Sequence, residues 1–387
     1  MTAAPPAPSA PTSALAGYEP SLDGLRGICI AAVVAFHGCA QAGLTGWVRG
    51  GFIGVSIFFT LSGFLITSLL LRERASSGTV DFARFWGRRI RRLWPASLVV
   101  VLAVVVLSAA GTLSARASDA VAATWSVTNW HVIAGGQAKL LQTIVGPLGP
   151  TWSLAVEEQF YVLLAVLFVV ATRSRRPHLV LGTVAALGVV VPAALSNMVT
   201  DWQPSLEFNT FLRMPELCMG VLLAVWHHRR ADRAAPAVSV RAGDVLAALG
   251  VAVMVGLFLF ADYSPPWLLR GGYTLVALVT AATIVGLLQH GAVARALAWL
   301  PLRWLGVVSY SLYLVHWPVM SVLTRDRTGW HGVPLLSVLA ATSLVVAWVL
   351  HLLVEQPVRR MRATPRASIG GGLAAAATLT VVALVAL

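Results

Sequence analysis

Apolar residues run through this chain in blocks of about twenty, separated by short polar connections. The blocks show neither the period of two of a half-buried strand nor the continuous polar face of a soluble amphipathic helix. Stretches long enough to cross a bilayer as helices, about 17–25 residues, fall near 24–41, 51–71, 95–113, 152–172, 178–198, 209–227, 244–261, 271–289, 303–323, 333–354 and 369–387. The pattern predicts an all-α, polytopic integral membrane protein with ten core transmembrane helices and an eleventh at the C-terminus. It divides the chain into a disordered tail over 1–20, a transmembrane domain over 21–362, and a linker with an additional helix over 363–387.

Composition narrows the class. Of 387 residues, 58% are hydrophobic and 11% charged, against about a quarter charged in ordinary soluble domains. The tail is rich in Pro, Ala and Ser and lacks the basic start of a signal peptide. A net charge of +13 raises the question of nucleic acid, but the basic residues sit in short loops with no soluble domain to hold a duplex. Twenty of the 28 basic residues lie in the connections after even-numbered spans and only six in the others. That bias places the N-terminus in the cytoplasm and the protein in the plasma membrane. Cys29, Cys39 and Cys218 have no metal-ligand spacing and read as packing residues, so no metal site is expected.

The first span holds the chain's most informative polar pair. Between Asp23 and Gln41, Arg26 and His37 are the strongly polar side chains. Eleven positions at about 100° each come within roughly 20° of three full turns, so the two share a helix face about 16 Å apart. A long, phosphate-headed ligand anchored at Arg26 reaches His37 over that distance. The competing reading is a topology anchor at Arg26 and a packing residue at His37. An ionisable group at membrane depth is nevertheless a functional candidate, because burial is costly without a partner.

Partners are present elsewhere. Thr151-Trp-Ser-Leu-Ala-Val-Glu157-Glu158-Gln-Phe-Tyr161 brings two carboxylates into the fourth span, about 100° apart, so one of them faces any site shared with His37. A carboxylate there can orient an imidazole base. Arg213 and Glu216, three apart, suit an ion pair. Arg88-Arg89-Ile-Arg91-Arg92 offers guanidinium groups for phosphate or lipid headgroups. Ser309, Tyr310 and His316 give the ninth span hydroxyls and a reserve base ahead of Pro318.

Taken in order, LDGLRG with His37 eleven after Arg26, GGFIGVSIFFTLSGFLIT, RRIRRLWP, TWSLAVEEQFY, RMPELCMG, SYSLYLVHWPV and VEQPVRR resemble the acyltransferase-3 family of bacterial membrane O-acyltransferases over roughly 20–362. The resemblance implies transfer of an acyl group, acetyl by default, from cytoplasmic acyl-CoA to a hydroxyl of a carbohydrate or small molecule outside. Acyl-CoA is then a donor co-substrate, with no tightly bound cofactor. His37 matches the family's essential histidine, as base or transient acyl carrier, Arg26 its paired arginine, Arg89 and Arg92 its RxxR motif, and Glu157 the acid of its WSL motif. Many relatives carry aspartate where Ser56 stands, and some continue into a soluble esterase-like domain, so the expectation is that this chain either acts alone or works with a separate partner in that domain's place. Membrane lipid is a further expected partner. The same polar residues also suit a non-enzymatic transporter of a glycan or lipid precursor, although the chain shows no internal repeat of the kind duplicated transporters carry.

Overall fold

The computed structural model describes residues 18–135, 146–198, 207–231, 238–262 and 266–387. Residues 1–17 of the expected tail, with Lys139, Gln142 and Arg233, lie outside them. Among the described residues the regular structure is helical throughout. Each of the eleven expected spans corresponds to helix: α1 (Pro20–Ala42), α2 (Gly54–Ser77), α3 (Phe82–Ala109), α4 (Thr151–Thr172), α5 (Pro177–Met198), α6 (Met214–Ala231), α7 (Val240–Phe260), α8 (Tyr273–Leu287), α9 (Leu300–Val307) with α10 (Ser309–Val322), α11 (Gly332–Leu350) and α12 (Pro365–Ala386). Nine of the described helical segments are long and apolar enough to cross a membrane, or ten if α9 and α10 form one broken span.

Three departures from the hydropathy pattern matter for the site. The third helix begins at Phe82, not near residue 95, because Asp81 caps it by accepting the Arg84 amide at 2.9 Å. The basic run is therefore helical, and Arg89 and Arg92, three apart, share a face. The ninth span is broken by a 70° bend between α9 and α10. The sixth, α6, carries Glu216, Arg229 and Arg230 within 18 residues and falls outside the nine. Packed against α2, α5 and α8, it need not be lipid-compatible all round.

Close helix crossings hold the core. A Cβ at Gly306 would lie 1.8 Å from the Asp23 carbonyl oxygen, and one at Gly27 would lie 2.2 Å from that of Leu302, so α9 crosses α1 backbone to backbone. The α2–α6 crossing is built alike, with Gly63 against the Leu217 carbonyl and Gly220 against that of Thr60. The main core gathers buried residues of α1, α2, α4, α6, α8 and α10, while α3, the 113–123 segment and α12 form a smaller one.

Candidate active site

One chamber, a cavity of about 120 Å³, opens among α1, α2, α3, α4 and α10. Arg26, Arg89 and Arg92 supply its basic wall. Arg26 donates through Nη2 to Ser309 Oγ at 2.8 Å and through Nη1 to Asp23 at 3.3 Å. The Arg89 guanidinium stacks 4.3 Å from the Tyr161 ring centre, and its buried Nε has no hydrogen-bond acceptor. Neither Arg89 nor Arg92 has a carboxylate at ion-pair distance among the described residues, unlike Arg26 and Arg88. Guanidinium groups buried as at Arg89, or half-buried as at Arg92, are unfavourable without counter-ions in a low-dielectric setting, and an anion reverses that. Opposite them, Glu157 accepts from the hydroxyls of Ser62 and Tyr161. Tyr310 lines the same chamber and donates to the Leu93 carbonyl at 2.7 Å.

The second chamber, about 40 Å³, contains His37 together with Arg213, Glu207, Tyr273 and the rings of Phe52, Trp152 and Trp317. His37 Nδ1 lies 3.1 Å from His316 Nε2. His316 Nδ1 lies 2.7 Å from the Tyr313 carbonyl and 3.2 Å from that of Leu312. Carbonyl oxygens only accept, so in the neutral dyad the His316 proton is on Nδ1 and its Nε2 is the acceptor. It follows that His37 carries its proton on Nδ1 and presents a bare Nε2 lone pair, the arrangement a general base needs. Arg213, buried, pairs with Glu216 at 2.8 Å and donates to Ser56 at 2.9 Å, with its guanidinium 3.9 Å from the Tyr273 ring centre. Tyr273 in turn donates to Glu207.

The structure thus sorts the sequence's candidates into two groups. Arg26, Arg89, Arg92, Glu157, Ser309 and Tyr310 line the first chamber, and His37 and Arg213 the second. Glu216 and His316 stand behind the second as supports. Orientation of His37 by a carboxylate of the fourth span is not what the geometry gives. Glu157 faces the other chamber and is bound to Ser62 and Tyr161, and the imidazole is held by His316 instead. Glu158 points away from both, bound by Ser126 at 2.7 Å and Trp94 at 3.3 Å, beside a small void of about 20 Å³.

Sequence reading missed Glu207, which lies just ahead of the sixth expected span, and Tyr273 and Val55, whose types are ordinary for packing near the start of an apolar helix, while Tyr313 reads from the sequence as either a polar-path or a packing residue. The closing VEQPVRR stretch also gains an explanation. A π-helical turn over His351–Glu355 buries Glu355, which pairs with His351 at 2.8 Å and accepts from Ser311 of α10 at 2.8 Å, tying the site helix to α11. Part of the long 113–151 connection walls the second chamber, since Trp317 donates to the Gly146 carbonyl at 2.9 Å and Gly149 and Pro150 line the void.

The family model described as an acyltransferase domain matches residues 19–352. Peptidoglycan O-acetyltransferase OatA of Listeria monocytogenes is 31% identical over 358 residues, 89% of this chain and 56% of the relative. Putative peptidoglycan O-acetyltransferase YrhL of Bacillus subtilis is 33% identical over 359 residues, 88% and 55% respectively. O-acetyltransferase OatA of Staphylococcus aureus is 32% identical over 314 residues, 78% and 51%. The chain spans about half the length of these curated relatives. No solved structure matches. With most of its length matched by the family model and its apolar helices in series, the chain belongs to the acyltransferase-3 family, as a multi-pass protein of the plasma membrane.

Proposed function

We propose that this protein is a membrane O-acetyltransferase acting on a hydroxyl of a cell-envelope carbohydrate, as the names of its relatives suggest, and that its acetyl donor is cytoplasmic acyl-CoA. The observation that carries the reading is the pairing of chambers: an anion-seeking one lined by Arg26, Arg89 and Arg92, and beside it one holding a histidine with a bare Nε2. The three guanidinium groups suit the phosphates of coenzyme A. At about 40 Å³ the second chamber takes the reacting hydroxyl of a sugar and not its ring, and Glu207, Arg213 and the aromatic walls suit that polar end.

In this reading His37 Nε2 takes the proton of the acceptor hydroxyl as the oxygen attacks the thioester carbonyl. The carbon–sulfur bond breaks, and the proton passes to the departing thiolate, so ester and free thiol are the products. Positive charge on the His37 ring strengthens its Nδ1–H bond to His316, a gain realised mainly as charge develops. If His37 carries the acyl group transiently, the same Nε2 is the nucleophile. Glu157 supports the donor chamber by fixing Ser62 and Tyr161, and Tyr161 in turn carries Arg89.

The test is thiol release and ester formation by the full chain in detergent, with acetyl-CoA and an N-acetylglucosamine oligomer as acceptor. His37→Ala should lower turnover by about 100-fold or more while still binding coenzyme A. Arg92→Ala should weaken coenzyme A binding by about tenfold or more, the scale of a lost charge-assisted contact. A wild-type protein that neither binds nor cleaves acyl-CoA, and instead moves a glycan precursor unmodified across vesicles, would replace this reading with transport.

A further inference from the structure

Two side chains face both chambers, Val55 near the start of α2 and Tyr313 in α10. We infer that Val55 and Tyr313 form a fixed size filter between the donor chamber and His37, passing a two-carbon acyl group and rejecting chains of four carbons or more. The inference rests on the acyl-transfer reading and goes beyond it by naming what sets the choice of acyl group.

Tyr313 cannot easily swing aside. Its hydroxyl donates to the Pro150 carbonyl at 3.0 Å and is 2.6 Å from Ser153 Oγ, so it is tied at two points to the entry of α4. Its ring lies 5.6 Å from the His316 ring, and its carbonyl accepts from His316 Nδ1 at 2.7 Å. The barrier and the group that holds the base are therefore one mechanical unit. Val55 is β-branched on a helix, with one strongly preferred rotamer. The turn that carries it is locked to α1, since a Cβ on the neighbouring Gly54 would lie 2.7 Å from the Cys29 carbonyl oxygen.

Volume sets the cut-off. At about 10–15 Å³ per water-sized occupant, the roughly 40 Å³ around His37 takes about three or four non-hydrogen atoms, enough for an acetyl group and the attacking hydroxyl oxygen. Each extra methylene has to be forced past two stiff side chains, and such a boundary discriminates by about 10- to 200-fold per methylene. Because the filter lies beyond the arginines, discrimination should appear in turnover and not in coenzyme A affinity.

The experiment measures kcat/KM and binding for acetyl-, propionyl-, butyryl- and hexanoyl-CoA with the full chain in detergent and an N-acetylglucosamine oligomer as acceptor. Wild type should favour acetyl over butyryl by about 100-fold or more, with near-equal dissociation constants. Val55→Ala should raise the butyryl-to-acetyl ratio at least tenfold, Tyr313→Phe should raise it by loosening the tether, and Val55→Leu should lower it. A ratio unmoved in all three variants, or a shift confined to binding, overturns the filter while leaving acyl transfer standing. Absence of turnover in the wild type overturns both. Coenzyme A binding reports folding for each variant, and the opposed Val55 substitutions keep the test decisive if one fails to fold.

Discussion

His316 has its Nδ1 beside two backbone carbonyls and its Nε2 turned to His37, so in the proposed reaction it is a positioning residue that sets the tautomer of its neighbour. His316→Ala should remove the imidazole acceptor facing the Nδ1–H of His37, leaving the Val33 carbonyl as the ring's remaining partner, and loosen its orientation. Turnover should then fall by about 10- to 100-fold, the range seen when the group orienting a functional imidazole is lost, with coenzyme A affinity unchanged. His316→Gln can place an amide oxygen near the former Nε2 and should recover part of that loss, which a merely volume-filling role would not. Steady-state kinetics beside equilibrium binding separates the two. A parallel argument applies to Arg213, whose charge is met by Glu216 at 2.8 Å inside the protein. Glu216→Gln leaves a buried guanidinium partly uncompensated and should cost about 3–5 kcal/mol of stability, read as a large drop in the midpoint of detergent-phase thermal unfolding.

At the scale of elements, the glycines of LDGLRG serve geometry more than chemistry. Gly27 admits α9 and Gly24 the Leu297 turn before it against α1, and that crossing holds Arg26 within 2.8 Å of Ser309 just past the bend. Gly306→Ala puts a methyl group where the Asp23 carbonyl already is. It should destabilise by about 1–3 kcal/mol, the usual cost of overpacking, and weaken coenzyme A binding by displacing Arg26. Thermal unfolding and binding measured on the same sample check both. The existence of each membrane-length helix was legible in the sequence because twenty-residue apolar runs have few other solutions in a bilayer, whereas the short helices over Ala117–Thr124 and Thr128–Ala134 were not. The early start of α3 was not, because an Asp cap followed by arginines resembles a loop until the hydrogen bond to the Arg84 amide is seen. Nor was the break at Val308, which no proline or glycine marks at the bend itself. The polar members of the site were visible as costly residues in apolar surroundings. Their division into two chambers was not, since it depends on which of Glu157 and His316 the helix packing brings to His37.

For the whole molecule, the proposed chemistry imposes an orientation, because acyl-CoA is a cytoplasmic compound and the arginine chamber has to open to that side. The loop charges ask for the same orientation independently, with twenty of 28 basic residues in alternate connections. Ser76, exposed at the end of α2, should then face the cytoplasm, and Trp47, 56% exposed between α1 and α2, the outside. Single cysteines at these positions, in a background with Cys29, Cys39 and Cys218 replaced by alanine, read this directly. All three native cysteines are buried and unpaired, so their removal costs packing and no disulfide. Trp47→Cys should react with a membrane-impermeant maleimide in intact cells, and Ser76→Cys only after permeabilisation. The reverse pattern would set Arg26, Arg89 and Arg92 on the outer side, away from acyl-CoA, and the donor proposed for this protein would have to be abandoned whatever the chemistry of His37.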